Sequence, residues 1–322
     1  MPKFAQLGLA ITLLLGGINT EVMAAAPQVK TQAPGFYRMM LGDFEITALN
    51  DGTRDLPVDK LLKERQPGQV LRALQHAYLG LPLETSFNGF LINTGAKLVL
   101  VDSGGGSNLG PTLGRLITNL KAAGYQPEQV DEVYITHLHS DHISGVLSEG
   151  KAAFPNATLR MDQREADFWL SEENAAKVAE GARGTFTNAR AAVKPYQEAG
   201  RFKPFEGDAK TGVELVPGIR ALSTYGHTPG HSVYLVESKG QKLAVWGDLM
   251  HVAAVQLPDP TVTISFDSDA SLAQPQREKA MADAAEKGYY VALAHSSFPG
   301  IGRLRPDGKG YVWLPPNYSS KP

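Results

Sequence analysis

Three imidazoles and one carboxylate fall within six residues in the run Thr136-His137-Leu138-His139-Ser140-Asp141-His142. Only 8 of the 322 residues are histidine, so composition alone does not produce such a density. Imidazole nitrogen and carboxylate oxygen together suit zinc and similar divalent cations. The run follows the apolar Val133-Tyr134-Ile135. If residues 132–136 form a strand, the chain leaves the sheet at His137. A short loop can then present His137 and His139 to one ion, and Asp141 and His142 to a second. The plainer alternative is a set of surface or core histidines acting as hydrogen-bonding groups, which gives no reason for clustering at this spacing.

Other N and O donors also sit at the ends of apolar runs. His227 lies in Gly226-His227-Thr228-Pro229-Gly230-His231, Asp248 follows Leu243-Ala244-Val245-Trp246-Gly247, and His295 follows Tyr289–Ala294. Asp102 follows Leu98-Val99-Leu100-Val101 in the same way. His251, three residues past Asp248, is expected at the mouth of the site. His231 is expected to hydrogen-bond beneath its loop, and His76 has no assigned role. There is no cysteine, which removes thiolate ligands and cysteine nucleophiles.

The elements that must position these groups alternate along the chain. Residues 44–49 alternate like a half-buried strand ending at the turn Asn50-Asp51-Gly52. Residues 88–102 read as a hairpin whose second arm is apolar throughout, as expected of a strand covered on both faces. Gly104-Gly105-Gly106 lacks the Rossmann and P-loop spacings and is expected to let the backbone pass close to the metal loops. A helix is expected over 111–123, stopped by Gly124, and another over about 162–180. Residues 57–80 read as a surface excursion, and the Gly-rich 181–212 as a lid. The second half repeats the grammar with a strand at 219–222, a hairpin over 233–246, a helix at 271–287 and a strand at 289–294. Two similar α/β halves predict a sheet-on-sheet core with helices outside, an αββα sandwich.

Residues 1–24 carry Lys3, a short apolar run over 7–15, and Val22-Met23-Ala24, the order of a signal peptide cut after Ala24. The mature domain is then 25–322, exported to the periplasm, with no stable membrane insertion. Net charge is −2 with Lys and Arg scattered, which argues against a nucleic-acid partner.

The spacing His-x-His-x-Asp-His, with a later His, an Asp and a final His, resembles the metallo-β-lactamase superfamily across 36–318. The resemblance implies one ion held by His137, His139 and His227. A second would be held by Asp141, His142 and His295, with Asp248 and a water or hydroxide bridging the two. It implies two divalent ions, zinc by default with Mn, Co, Ni or Fe as alternatives, and Asp102 bracing the loop. Catalysis would rest on Asp141, Asp248 and His251.

Four segments, 41–49, 82–86, 121–136 and 297–302, are similar to the methyl parathion hydrolases and their dihydrocoumarin-type lactonase relatives. That resemblance implies a leaving-group pocket of Trp169, Phe186, His251, Ile264 and Phe266. Dedicated organophosphate hydrolases of the group carry Leu, Thr and Leu at the last three positions. The bulkier set here implies an aryl lactonase or arylesterase with weak organophosphate hydrolysis; a dedicated phosphotriesterase is the alternative. A homodimer is a further implication. A metal-dependent nuclease would need a cationic groove, and a scaffold without turnover would more usually have lost a ligand.

Overall fold

In the computed structural model, which describes residues 26–320, two sheets carry the site on their strand ends. The first has six strands in the order Phe36–Leu41, Phe44–Leu56, Leu83–Asn93, Leu98–Val101, Glu132–Tyr134 and Thr158–Arg160. The second has seven, in the order Val213–Val216, Ile219–Ser223, Ser232–Ser238, Gln241–Val245, Tyr290–Ala292, Ile301–Asp307 and Gly310–Leu314. Each sheet has a parallel pair inside it, Leu98–Val101 with Glu132–Tyr134 and Gln241–Val245 with Tyr290–Ala292. Strands covered on both faces are apolar, as Leu98–Val101 and the Leu243-Ala244-Val245 stretch are. Asp102, the His137–His142 loop, Asp248 and His295 follow the carboxyl ends of these four strands.

Alternating side chains from the two inner faces interlock, with Ile46, Phe90, Ile92, Val99 and Val101 meeting Ile219, Tyr234, Val236, Leu243 and Val245. The outer face of the first sheet is covered by helices Leu116–Ala122, Gln163–Trp169 and Arg183–Glu198. Helix Ala270–Lys287 contributes Met281 and Ala284 to the cluster on the other side. Among the described residues, 34–320 thus form one compact αββα sandwich. No helix among the described residues is long and apolar enough to cross a membrane. The signal-peptide reading of 1–24 lies outside the described residues.

Several expected elements differ. Asn50-Asp51-Gly52 does not end its strand; it is a bulge within Phe44–Leu56, and the Asp51 carboxylate accepts from Gly105, Gly114 and Leu116 N–H. The helix expected from 111 starts only at Leu116, because Gly114 has φ +84° and breaks the backbone path. The helix expected over 162–180 is two, Gln163–Trp169 and Glu172–Lys177, with the Ser171 side chain capping the second. The supposed lid contains helix Arg183–Glu198, which buries Phe186, Ala189, Ala192, Val193 and Tyr196 on one face. Small alanines and Pro195 mask that periodicity in the sequence. The excursion at 57–80 folds into a short helix, Val58–Leu61, and a longer one, Gln69–His76, packed through Val58, Leu62, Val70 and Leu74 against Val255, Val262 and Ile264.

Candidate metal centre

The chain turns sharply after Val101: Asp102 itself has φ +58°, and Gly104 and Gly106 follow in the same left-handed region. A Cβ on Gly106 would sit 3.1 Å from the Ser144 carbonyl oxygen, and one on Gly145 only 1.9 Å from that of Ser103. The glycines therefore allow this loop to lie directly against the one bearing His142. Asp102 fastens the two: Oδ1 accepts Thr136 N–H at 2.8 Å, and Oδ2 accepts the Thr136 hydroxyl at 2.9 Å and His142 Nδ1 at 2.8 Å.

The donors converge in two sets. In the first, His139 Nδ1 is 3.1 Å from both His137 Nε2 and His227 Nε2, and Asp248 Oδ2 lies 3.5 and 3.3 Å from the latter two. In the second, Asp248 Oδ1 is 3.2 Å from His142 Nε2 and 3.1 Å from His295 Nε2; Asp141 Oδ2 is 3.5 and 3.3 Å from the same atoms. Asp248 thus turns one oxygen to each set. Donors held about 2.1 Å from a tetrahedral zinc lie about 3.4 Å from one another, so both sets have the size that such an ion needs. His142 Nε2 and Asp248 Oδ1 are buried without a hydrogen-bond partner, as metal-directed atoms would be. Burial draws His139 down to about 3. Against the same burial, Asp248 and Asp267 lift His227 to about 9, and Asp248 and Asp141 lift His295 to about 10. Those two imidazoles hold protons against the carboxylates where a divalent cation would sit. The residues fit a two-ion centre.

Further contacts orient the rings. Asp267 Oδ1 lies 2.9 Å from His227 Nδ1, leaving Nε2 to face the first set. His231 pairs with the Thr224 hydroxyl at 2.8 Å and accepts Asp248 N–H on Nε2 at 3.1 Å, a bonding role beneath its loop. Asp267 was not singled out by sequence, since no motif or spacing marks it. Glu165, fully buried, was missed as well.

A mostly apolar cavity of about 280 Å³ opens over both sets, bounded by Leu56, Val58, Leu61, Phe87, Leu109, Val252, Ile264 and Phe266, with His139, Asp141, Asp248, His251 and His295 at its polar end. His251 Nε2 is 3.0 Å from Asp248 Oδ2, and its ring stacks on His295 at 5.5 Å. Phe266 stands at the rim, 41% exposed. Of the five expected pocket residues, His251, Ile264 and Phe266 line this cavity; Trp169 and Phe186 do not. The helices that carry them pack onto the first sheet, so both rings enter the core and meet at 4.6 Å. Trp169 abuts the His139 ring edge-on at 5.4 Å, backing that imidazole instead of lining the cavity. Leu56, Val58, Leu61, Phe87 and Arg54 line it unforeseen, since the excursion and the strands Phe44–Leu56 and Leu83–Asn93 meet only in three dimensions.

Residues 87–295 match the model of the metallo-β-lactamase superfamily, so the chain belongs to that superfamily of metal-dependent hydrolases. Among solved structures it is similar to AbOPH, a hydrolase in the β-lactamase superfamily. Identity is 39%, coverage is 90% of this chain and 100% of that one, and the TM-score is 0.84. It is also similar to AidC, a dizinc quorum-quenching lactonase bound to a homoserine product, at 25% identity, 89% and 99% coverage and TM-score 0.80. An N-acyl homoserine lactonase of Bacillus thuringiensis is 28% identical over 183 residues, 54% of this chain and 62% of that protein. The chain thus spans less than two thirds of this curated relative's length.

Proposed function

We propose that this protein is a two-metal lactonase or arylesterase that opens aryl lactones of the dihydrocoumarin type, with weak organophosphate hydrolysis as a side activity. The observation that carries the reading is the pairing of two donor sets, joined by Asp248, with a small, mostly apolar cavity directly above them. One ion would be held by His137, His139, His227 and Asp248, the other by Asp141, His142, His295 and Asp248. Divalent cations there would bring a water towards neutral acidity and polarise an ester carbonyl.

The chain's own residues do the rest. Asp248 keeps the two sets in register through its two oxygens. Asp141, whose side chain is 22% exposed, reaches the cavity and is placed to take a proton from attacking water. His251, at the same polar end, is placed to return one to the leaving oxygen; a phenolic leaving group needs little such help. Ile264, Phe266 and Phe87 cover the flat face of the substrate. A planar ring suits this volume better than a tetrahedral phosphotriester. The lactonase relatives support an ester over a phosphate substrate. They also favour a second reading, in which the lactone carries an N-acyl chain instead of an aryl ring. Export to the periplasm, inferred from residues 1–24 alone, is part of the proposal.

The test is kcat/KM for dihydrocoumarin, N-hexanoyl homoserine lactone and methyl parathion on one preparation of counted metal content. An aryl-lactone preference of about a hundredfold, or about 2.7 kcal/mol of transition-state energy, supports the proposal. A preference for methyl parathion overturns it.

A further inference from the structure

Glu165 is a carboxylate at 0% exposure that makes no contact with the cavity, and nothing in the chemistry above uses it. It stands in the first turn of helix Gln163–Trp169, and its two oxygens are spent on two different loops. Oε1 accepts Leu138 N–H at 2.8 Å, the backbone donor between His137 and His139. Oε2 accepts Gly230 N–H at 2.8 Å, in the loop between His227 and His231. One rigid side chain therefore spans the segments that deliver the three imidazoles of the first donor set. A second observation tightens the contact. A Cβ on Gly230 would fall 2.2 Å from the Glu165 backbone nitrogen, so only glycine lets this loop close onto the helix. Burial works against the charge and lifts Glu165 to about 7, with the two N–H groups opposing the rise.

We infer that Glu165 is a positioning residue for the first metal set, holding the His137–His139 turn and the His227 loop at one fixed separation. The second set hangs from other supports, Asp102 on His142 and the end of strand Tyr290–Ala292 before His295. The inference rests on the two-ion reading. Glutamine at 165 would accept one N–H, but its amide would point a donor at the other. The His227 loop and the His137–His139 turn would then lose their shared anchor while the second set kept its own.

The experiment is metal binding to chelator-stripped full-length protein, followed by isothermal titration with Zn2+ and by metal counting after dialysis, with no substrate present. Wild type should take up two ions per chain. Glu165→Gln should weaken one of them about tenfold or more and leave the other within about twofold, the scale seen when groups supporting metal ligands are removed. Ser171→Ala serves as comparator: Ser171 caps the next helix, Glu172–Lys177, its hydroxyl accepting Asn174 N–H, so the change lowers local helix stability without touching either loop. Should Glu165→Gln fail to fold, Glu165→Asp, which keeps the charge and shortens the reach, is expected to show the same selective loss. Equal weakening of both ions, no weakening, or the same selective loss in Ser171→Ala overturns the inference. A wild type that binds no ion overturns the two-ion reading along with it.

Discussion

Replacing Asp102 by Asn keeps size and removes one charge, and the contacts of the carboxylate predict the outcome. The amide has two orientations. With its oxygen towards His142 Nδ1, its NH2 faces Thr136 N–H, which stands 2.8 Å from Oδ1 in the native protein. Two donors then confront each other, and a buried backbone N–H without a partner costs about 1–3 kcal/mol. With the oxygen on Thr136 N–H, the NH2 instead meets His142 Nδ1, 2.8 Å from native Oδ2, and the Thr136 hydroxyl oxygen, 2.9 Å away. That hydroxyl can accept from both the amide and His137 Nδ1, 3.0 Å off, so His137 keeps its tautomer and only a rotatable O–H loses its acceptor. The second orientation wins. It makes His142 Nδ1 an acceptor and moves the ring proton to Nε2, the atom that faces Asp248 Oδ1 at 3.2 Å. An imidazole with its proton there has no lone pair for a metal. Asp102→Asn should therefore weaken the ion at Asp141, His142 and His295 by about 10- to 100-fold, or about 1.4–2.7 kcal/mol. The first ion should remain, and hydrolysis should fall with occupancy of the second. Zinc titration with a competing chelator reads this directly. Two ions bound with native affinities would refute the argument.

Arg277 is fully buried and donates to the Pro260, Val262 and Leu249 carbonyls at 2.8, 2.9 and 3.4 Å, with no carboxylate partner among the described residues. Arg277→Met loses two good charge-assisted bonds, each about 1.5–3 kcal/mol, and regains part of the guanidinium's desolvation. Val262 keeps its bond from Gln256 at 2.9 Å but Pro260 is left bare, so a net loss of about 2–4 kcal/mol is expected by urea unfolding. Phe266→Ala, at the cavity rim, should lower kcat/KM for an aryl lactone about tenfold through roughly 1–2 kcal/mol of lost apolar contact while leaving metal content unchanged; an unaltered kcat/KM would place the ring outside the substrate's reach.

Where the sequence was legible, local chemistry and local geometry coincided. His137, His139, Asp141 and His142 lie together because six residues after one strand can hardly do otherwise, and apolar runs before Asp102, Asp248 and His295 marked buried parallel strands. It was opaque where the answer depended on partners distant in the chain. Trp169 carries the type of side chain that lines pockets, yet the packing of its helix on the first sheet turns the ring inward. Helix Arg183–Glu198 buries mostly alanines and a few larger side chains, a face too weak to register as periodic. Asp267 and Glu165 sit 40 and 27 residues from the groups they hold, His227 and Leu138, with no spacing to flag them.

The supports also divide in an informative way. Asp102, His142 and Thr136 belong to the first sheet's half, and Asp267 and His227 to the second's. The donor sets do not respect that division. The first combines His137 and His139 from one half with His227 from the other, and the second combines Asp141 and His142 with His295. Each ion would therefore cross-link the halves, and Asp248, with an oxygen for each, fixes both crossings at once. Correct separation of the sheets is a precondition for binding either ion. The buried contact of Ile46, Phe90 and Ile92 with Ile219, Tyr234 and Val236 sets that separation, so a cavity opened there would act on metal affinity without touching a donor.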